Sequence, residues 1–314
     1  MTDSNATRPP RLPRREVHGV LLLDKPLGLS SNDALVRAKR LLRATKAGHT
    51  GTLDPLATGL LPLCFGEATK FSQDLLEADK TYEAVARLGV TRTTGDAEGE
   101  VVAERPVTCD RAALDAALVR FTGDIEQVPP MYSALKKDGR PLYEYARAGQ
   151  TVERAARQVT IRSIALLDCD LAGDAPYFTM RVTCSKGTYI RTLAEDIGEA
   201  LGCGAHLTAL RRTGVGDLTL DGAVRLEQID AQADEARPAM LAPVDALLQR
   251  CTPVHLDDAV AARFLNGQRI AGRDLPELLA EDTLARVYTG EPPRLLGVAR
   301  MREGALRPER LVKL

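Results

Sequence analysis

Apolar positions along the chain change their period several times, and each change marks an element. His18 to Leu23 (HGVLLL) is a continuous apolar run that stops where Pro26 and Gly28 break it, so it reads as a buried strand entering a loop. From Ser30 or Ser31 as N-cap the spacing becomes helical. Ala34, Leu35, Ala38, Leu41 and Leu42 share one face up to about Arg43, and Asp33 sits in the first turn, where negative charge is favoured. Arg37, Lys39, Arg40 and Arg43 lie elsewhere around that wheel. Leu60 to Phe71 resumes a helix-like pattern with Pro62 near its start. Tyr82 to Leu88 (YEAVARL) alternates as a strand does, and Asp110 to Phe121 reads as a capped amphipathic helix. After an irregular stretch around Pro129-Pro130, residues 158–171 and 177–184 read as strands joined by the turn Gly173-Asp174. Residues 188–201 read as helix, and the acidic stretch 216–250 as mainly helical. The last 64 residues, with several glycines and β-like runs such as Leu295 to Met301, suit a small all-β module. Strands and helices do not alternate regularly, which predicts a mixed α+β chain. The predicted division is a leader over 1–17, a main domain over 18–250 and a β-rich module over 251–314.

Composition narrows the class. With 314 residues, 44% hydrophobic and 27% charged, the chain has the make-up of a water-soluble globular protein. No apolar run approaches the roughly 20 residues of a membrane span. The first 17 residues are polar, Pro-rich and basic, without the apolar middle of a secretory signal, and are expected to be disordered. A cytoplasmic location follows as the expectation. Six cysteines form no CxxC pair, and Cys203 with His206 is the nearest approach to a metal pair; buried thiols in a reducing compartment are expected, and no metal. Net charge is −1, yet its distribution is uneven. Residues 18–73 hold seven basic against four acidic side chains (+3), residues 216–285 six against thirteen (−7), and residues 286–314 seven against three (+4). Such asymmetry can orient a protein on a polyanion without a high overall pI.

The chemistry-bearing motifs are few. There is no GxxxxGK[ST], GxGxxG or GxSxG and no metalloprotease signature, so cofactor-dependent mechanisms lose their usual handles. What stands out is Ala47-Gly-His-Thr-Gly-Thr-Leu-Asp-Pro-Leu-Ala-Thr-Gly59. Its glycines permit close backbone approach, and Pro55 keeps Asp54 out of helical backbone. An Asp before Pro is ordinarily a turn former. A nucleophilic carboxylate must instead stay ionised, which calls for a cation and donors; Lys46, His49, Thr50 and Thr52 are close in sequence, and Arg191 of Cys184-Ser-Lys-Gly-Thr-Tyr-Ile-Arg191 is a candidate partner. The bland alternatives are a loop hydrogen-bonder for His49, a core strand residue for Tyr82, core residues of adjoining helices for Tyr189 and Leu210, and a surface helix residue for Arg191.

Five segments settle the comparison: HGVLLLDKPLGLSSNDAL, AGHTGTLDPLATGLLPLCFGEATKFSQ, DKTYEAVARLG, QVPPMYSALKKDGRPLYEYARAG and CSKGTYIRTLAEDIGEALGCGAHLTALRR. Together they resemble the TruB-type tRNA pseudouridine synthases from about His18 to Arg212, and the C-terminal 64 residues resemble that family's PUA-like RNA-binding module more loosely. The resemblance implies a catalytic domain with a mixed, mainly antiparallel sheet, and isomerisation of uridine 55 in the TΨC loop of tRNA, by base flipping and an Asp nucleophile, with no cofactor, metal or guide RNA. It makes Asp54 the nucleophile, Arg191 its partner and Tyr82 the ring stacked on the target base. His49, Tyr189 and Leu210 line the nucleotide pocket, His49 taking the flipped base's place in the loop. Lys25 and Pro26 support the active-site loop, and Lys70 of GEATKF joins the substrate-binding set. It further implies a monomer with no obligate protein partner. Attack at C1′, attack at C6 and a glycal route all remain open, as does acid or base work by Tyr82. Two other functions compete: a non-catalytic RNA-binding or RNA-folding protein, and a guide-RNA-dependent relative, which usually carries a Lys-rich tail. The basic side chains Arg37 to Arg43, Arg211-Arg212 and the C-terminal module are expected to contact phosphates.

Overall fold

The HGVLLL run forms β1 (Gly19–Lys25), and the capped helix follows as α1 (Ser31–Leu41), with Ser30 accepting from the Asp33 amide at 3.1 Å. This is a computed structural model, and it describes residues 13–313. After the short β2 (Ala47–His49) comes β3 (Ala57–Phe65), antiparallel to β1 with Lys25 opposite Gly59. Here the expected helix over Leu60 to Phe71 is wrong. Eight of the nine β3 residues are buried, so the strand is covered on both faces and its apolar run carries no period. Pro62, which favoured a helix start, sits instead within the strand, opposite Leu22. Only Gly66–Phe71 is helical, as a 3₁₀ turn running into α2 (Ser72–Glu77).

The remaining elements up to residue 230 follow in order. They are β4 (Lys80–Leu88), β5 (Val90–Arg92), β6 (Val101–Glu104), α3 (Arg111–Arg120), β7 (Gly123–Gln127), β8 (Lys136–Lys137), β9 (Arg140–Pro141) and α4 (Leu142–Arg147). Then come β10 (Arg157–Asp170), β11 (Tyr177–Cys184), α5 (Ile190–Ala200), β12 (Ala205–Val215), β13 (Leu218–Thr219) and α6 (Leu226–Asp230). The main sheet runs β1-β3-β12-β4-β11-β10-β7, with β2 beside β3 and β13 beside β12. Among the described strands of that sheet only β12 and β3 pair in parallel. Leu210 therefore lies on a strand, not on a helix. The acidic stretch 216–250 also departs from expectation. It holds one five-residue helix, α6, and 3₁₀ turns at Arg237–Met240 and Val244–Leu247. It trims the edge of β1 instead: Val20 and Ala242 exchange two backbone hydrogen bonds at 2.8 Å.

A second sheet, β14 (Thr252–Leu256), β16 (Leu284–Thr289), β17 (Arg294–Arg302), β18 (Ala305–Leu311) and β15 (Ile270–Ala271) in that order, surrounds its own apolar cluster with α7 (Asp258–Leu265). A shared cluster joins the two sheets, with Val20, Cys64 and Phe71 from one side meeting Tyr288, Leu295 and Val298 from the other. Residues 1–12 of the expected leader lie outside the described residues. Its end is not disordered: Arg15 bridges to Ala44 through backbone, pairs with Asp234 at 3.4 Å, and is followed by buried Val17. Among the described residues no helix is long and apolar enough to cross a membrane.

Candidate active site

Asp54 is held by its neighbours. The Ser31 hydroxyl, at the start of α1, accepts from the Leu53 amide at 2.7 Å and donates to the Leu53 carbonyl at 3.1 Å. On the other flank the Gly28 amide donates to Pro55 O at 2.9 Å. Lys25, fully buried at the end of β1, ties the same turn together by donating to Pro26 O at 2.9 Å and Leu29 O at 2.6 Å. Burial pushes the Lys25 ammonium down to about 8, with Asp54 pulling it the other way. Gly59 is dictated by close approach: a Cβ there would lie 2.2 Å from Arg212 O.

Arg191 comes from α5, 137 positions further along the chain, and its Nη2 lies 2.9 Å from Asp54 Oδ2. The arginine side chain is 5% exposed and the aspartate 41%, so the carboxylate faces the cleft while its partner is fixed beneath it. Arg191 also donates to Thr94 O and Tyr132 O, both at 2.7 Å, and stands 3.6 Å from buried Asp96. Asp96 is itself anchored, accepting from the Thr94 hydroxyl at 2.5 Å and the Glu98 amide at 3.1 Å. Gln127 clamps the start of α5 by bonding both backbone groups of Tyr189, at 3.1 and 3.3 Å. The guanidinium is thus over-determined, as a buried charge must be to persist.

Two cavities of 460 and 450 Å³ meet at this pair, sharing Thr52, Leu53, Asp54, Ser133, Ala134 and Arg191. His49 lines the first, together with Tyr143 and Arg147 of α4. Tyr82, Tyr189 and Leu210 line the second. Tyr82 and Leu210 are half-buried on adjacent strands and pack against the same two apolar clusters. Burial raises the Tyr82 phenol above its ordinary 10, so it stays protonated at neutral pH, and burial with the nearby Arg212 charge lowers His49, which stays neutral.

Of the predicted site residues, Asp54, Arg191, Tyr82, Tyr189 and Leu210 come together, His49 faces the other side of the carboxylate, and Lys25 lies beneath the loop. Lys70 stands outside both cavities. It bonds Glu67 at 2.7 Å and Leu311 O at 2.8 Å, at the junction with the second sheet. The phosphate role expected of Arg211-Arg212 needs correction. Arg212 is buried, donating to Leu60 O at 2.7 Å and Gly51 O at 3.4 Å, and Arg211 is paired to both oxygens of Asp24 at 3.0 Å. Arg37 and Arg40 are exposed on α1.

Sequence reasoning missed Asp96, and it missed Arg212 and Lys80 as charged walls of the Tyr82 cavity. Lys80 is buried with its ammonium bonded to Leu76 O and Ala78 O at 2.7 and 2.6 Å. The only available signal for Asp96 was a Gly-flanked acid in Thr94-Gly-Asp-Ala-Glu-Gly99, which also reads as an ordinary turn.

Comparison with known proteins agrees over the whole length. Residues 39–190 match the TruB family pseudouridylate synthase N-terminal domain, residues 191–249 the tRNA pseudouridylate synthase B C-terminal domain, and residues 252–312 the pseudouridine synthase II TruB C-terminal model. The tRNA pseudouridine synthase B of Cupriavidus metallidurans is 84% identical, with 100% of both chains covered. That of Burkholderia lata is 69% identical over 98% of this chain and 94% of its own. Among solved structures, a Cbf5-Nop10-Gar1 complex contains a chain with TM-score 0.68 and 25% identity, covering 98% of this chain and 92% of that one. On these matches the chain belongs to the TruB family of pseudouridylate synthases.

Proposed function

We propose that this chain converts uridine 55 in the TΨC loop of tRNA to pseudouridine, acting as a monomer in the cytoplasm without cofactor, metal, guide RNA or obligate protein partner. The full-length similarity to proteins named tRNA pseudouridine synthase B supports the tRNA substrate. The observation that carries the chemistry is the 2.9 Å pair of an accessible Asp54 and a buried Arg191 where two cavities meet. In the reaction the bond from C1′ to N1 of uracil breaks and one from C1′ to C5 forms. N1 gains a proton and C5 loses one, so nothing is consumed. Asp54, paired with Arg191, is the nucleophile, attacking C1′ or C6, or it stabilises charge while a proton leaves C2′ on a glycal route.

A base inside a folded loop must first be extruded, at a cost of a few kcal/mol. Stacking on Tyr82 recovers about 1–3 kcal/mol of this. Tyr189 and Leu210 wall the same pocket, and neutral His49, across the carboxylate, suits the vacated position in the loop. With its pKa raised, Tyr82 acts as stacking ring or proton donor rather than base. Phosphate contacts fall to Arg37, Arg40 and the second sheet's module, over 251–314. Lys70 serves binding indirectly, by holding that module to the main sheet. The test is to incubate an unmodified tRNA transcript with the purified chain alone and map pseudouridine by sequencing. A single product at position 55 is expected. No product without an added guide RNA would favour the guide-dependent alternative, and binding without product the non-catalytic one.

A further inference from the structure

A third cavity, of 220 Å³, lies away from the cleft, where the β5–β6 hairpin lies beside the ends of β4 and β12. Strand alternation puts Arg87 on the opposite face of β4 from Tyr82. Arg87, Arg92 and His206 line this cavity along with Thr208, and Glu104 is its one carboxylate. Two guanidiniums therefore face a single acid. Among the described residues the Arg87 side chain makes no ion pair and no hydrogen bond, and its Nε is buried without a partner. The Arg92 Nε is likewise buried and unpartnered, while its Nη1 donates to Gly99 O at 2.7 Å. His206 is 2% exposed, and its Nδ1 is 2.7 Å from Val90 O. A carbonyl only accepts, so Nδ1 carries the hydrogen and Nε2 is left uncommitted. Burial lowers the His206 pKa, and Arg92 and Arg87 lower it further, so both cations act on this imidazole.

Unsatisfied buried donors in a cavity of net positive lining are costly unless something fills them. We propose that this cavity is a binding site for a phosphate group, separate from the cleft that isomerises uridine. The unpartnered donors are guanidinium groups from two adjoining strands, Arg87 on β4 and Arg92 on β5, and guanidinium groups match phosphate oxygens well. The occupant is either free phosphate or a phosphodiester of the RNA backbone; the second source alone rests on the tRNA reading above.

Inorganic phosphate, titrated into the full-length chain at constant ionic strength and pH, separates these outcomes when the His206 ring nitrogens are followed by NMR. A saturable shift is expected, weakened about tenfold by Arg87→Gln, which removes one charge-assisted donor. Because Arg87 has no internal partner, that variant keeps its melting temperature, and misfolding does not confuse the result. No saturable shift, or one of equal affinity in Arg87→Gln, overturns the site. In the second arm, tRNA-transcript affinity is measured against salt. A slope smaller by about one in Arg87→Gln assigns the site to a backbone phosphate, and an unchanged slope with the phosphate shift intact assigns it to free phosphate.

Discussion

The two sheets spend their interiors differently. Of the twelve buried polar or charged residues described, eleven belong to the main sheet's part of the chain, among them Lys25, Lys80, Asp96, Arg191, His206 and Arg212. The five-stranded sheet buries only Thr289, which bonds Leu256 O at 3.0 Å and Asp258 at 3.1 Å. Burying an ion costs several kcal/mol unless its partners are complete, so a fold tolerates a concentration of them only where geometry matters more than stability. The second sheet is held by ordinary apolar packing, around Phe264, Val287, Leu296 and Leu306. Buried charge is therefore concentrated in the first sheet, around the proposed site, and the second sheet has an ordinary apolar interior.

Substitutions on each side sharpen that contrast. The largest effect is expected from Arg191→Lys. An ammonium cannot reach Thr94 O, Tyr132 O, Asp96 and Asp54 together, so turnover should fall about a thousandfold while tRNA binding persists. Single-turnover kinetics beside filter binding measures both. Next comes Arg212→Met, which strands the Leu60 and Gly51 carbonyls and should cost about 3 kcal/mol in urea unfolding as well as activity. Its counterpart, Tyr288→Phe, removes the 2.6 Å bond to Asp245 at the junction between the sheets. About 1 kcal/mol should be lost there, with turnover unchanged.

A pH experiment has a comparable magnitude. Glu195, packed against Gly95 behind Arg191, is raised by burial, against the opposing pull of Arg191, to about 7 from an ordinary 4.5. The folded chain thus holds a proton that the unfolded chain has released, and this contribution to stability is lost as pH rises from about 4.5 to 7. Glu195→Gln should match the native chain at pH 4 and exceed it by about 3 kcal/mol at pH 8. Smallest is Lys70→Ala, expected to raise KM a few-fold by loosening the module and to leave kcat alone. A fall in kcat instead would move Lys70 into the chemistry.

Legibility in the sequence followed the physics of each element. Strands with one covered face, such as Tyr82 to Leu88, show their alternation, and α1 shows its cap and its stripe. β3 does not, because burial on both faces erases the period and Pro62 mimics a helix start. Asp54 could be found because its loop needs glycines and a proline that ordinary turns do not combine. Arg191 stood out as a candidate cation through its own unusual segment, but no local pattern joins positions 137 apart, so the resemblance was needed to make the pairing firm. Arg211 and Arg212 looked alike as a dipeptide, yet strand alternation sends one to Asp24 and the other into the interior. Asp96 stayed hidden for the same reason: its role depends on what the fold brings to it.

The most direct test is tritium release from tRNA carrying [5-³H]uridine, comparing the native chain with Asp54→Asn, while binding of the same tRNA is followed in parallel. Asparagine keeps the shape of the side chain and removes its charge, so release should vanish and affinity should stay within a few-fold. Release at the native rate from the asparagine variant would contradict the assignment of Asp54 as the group that carries the reaction.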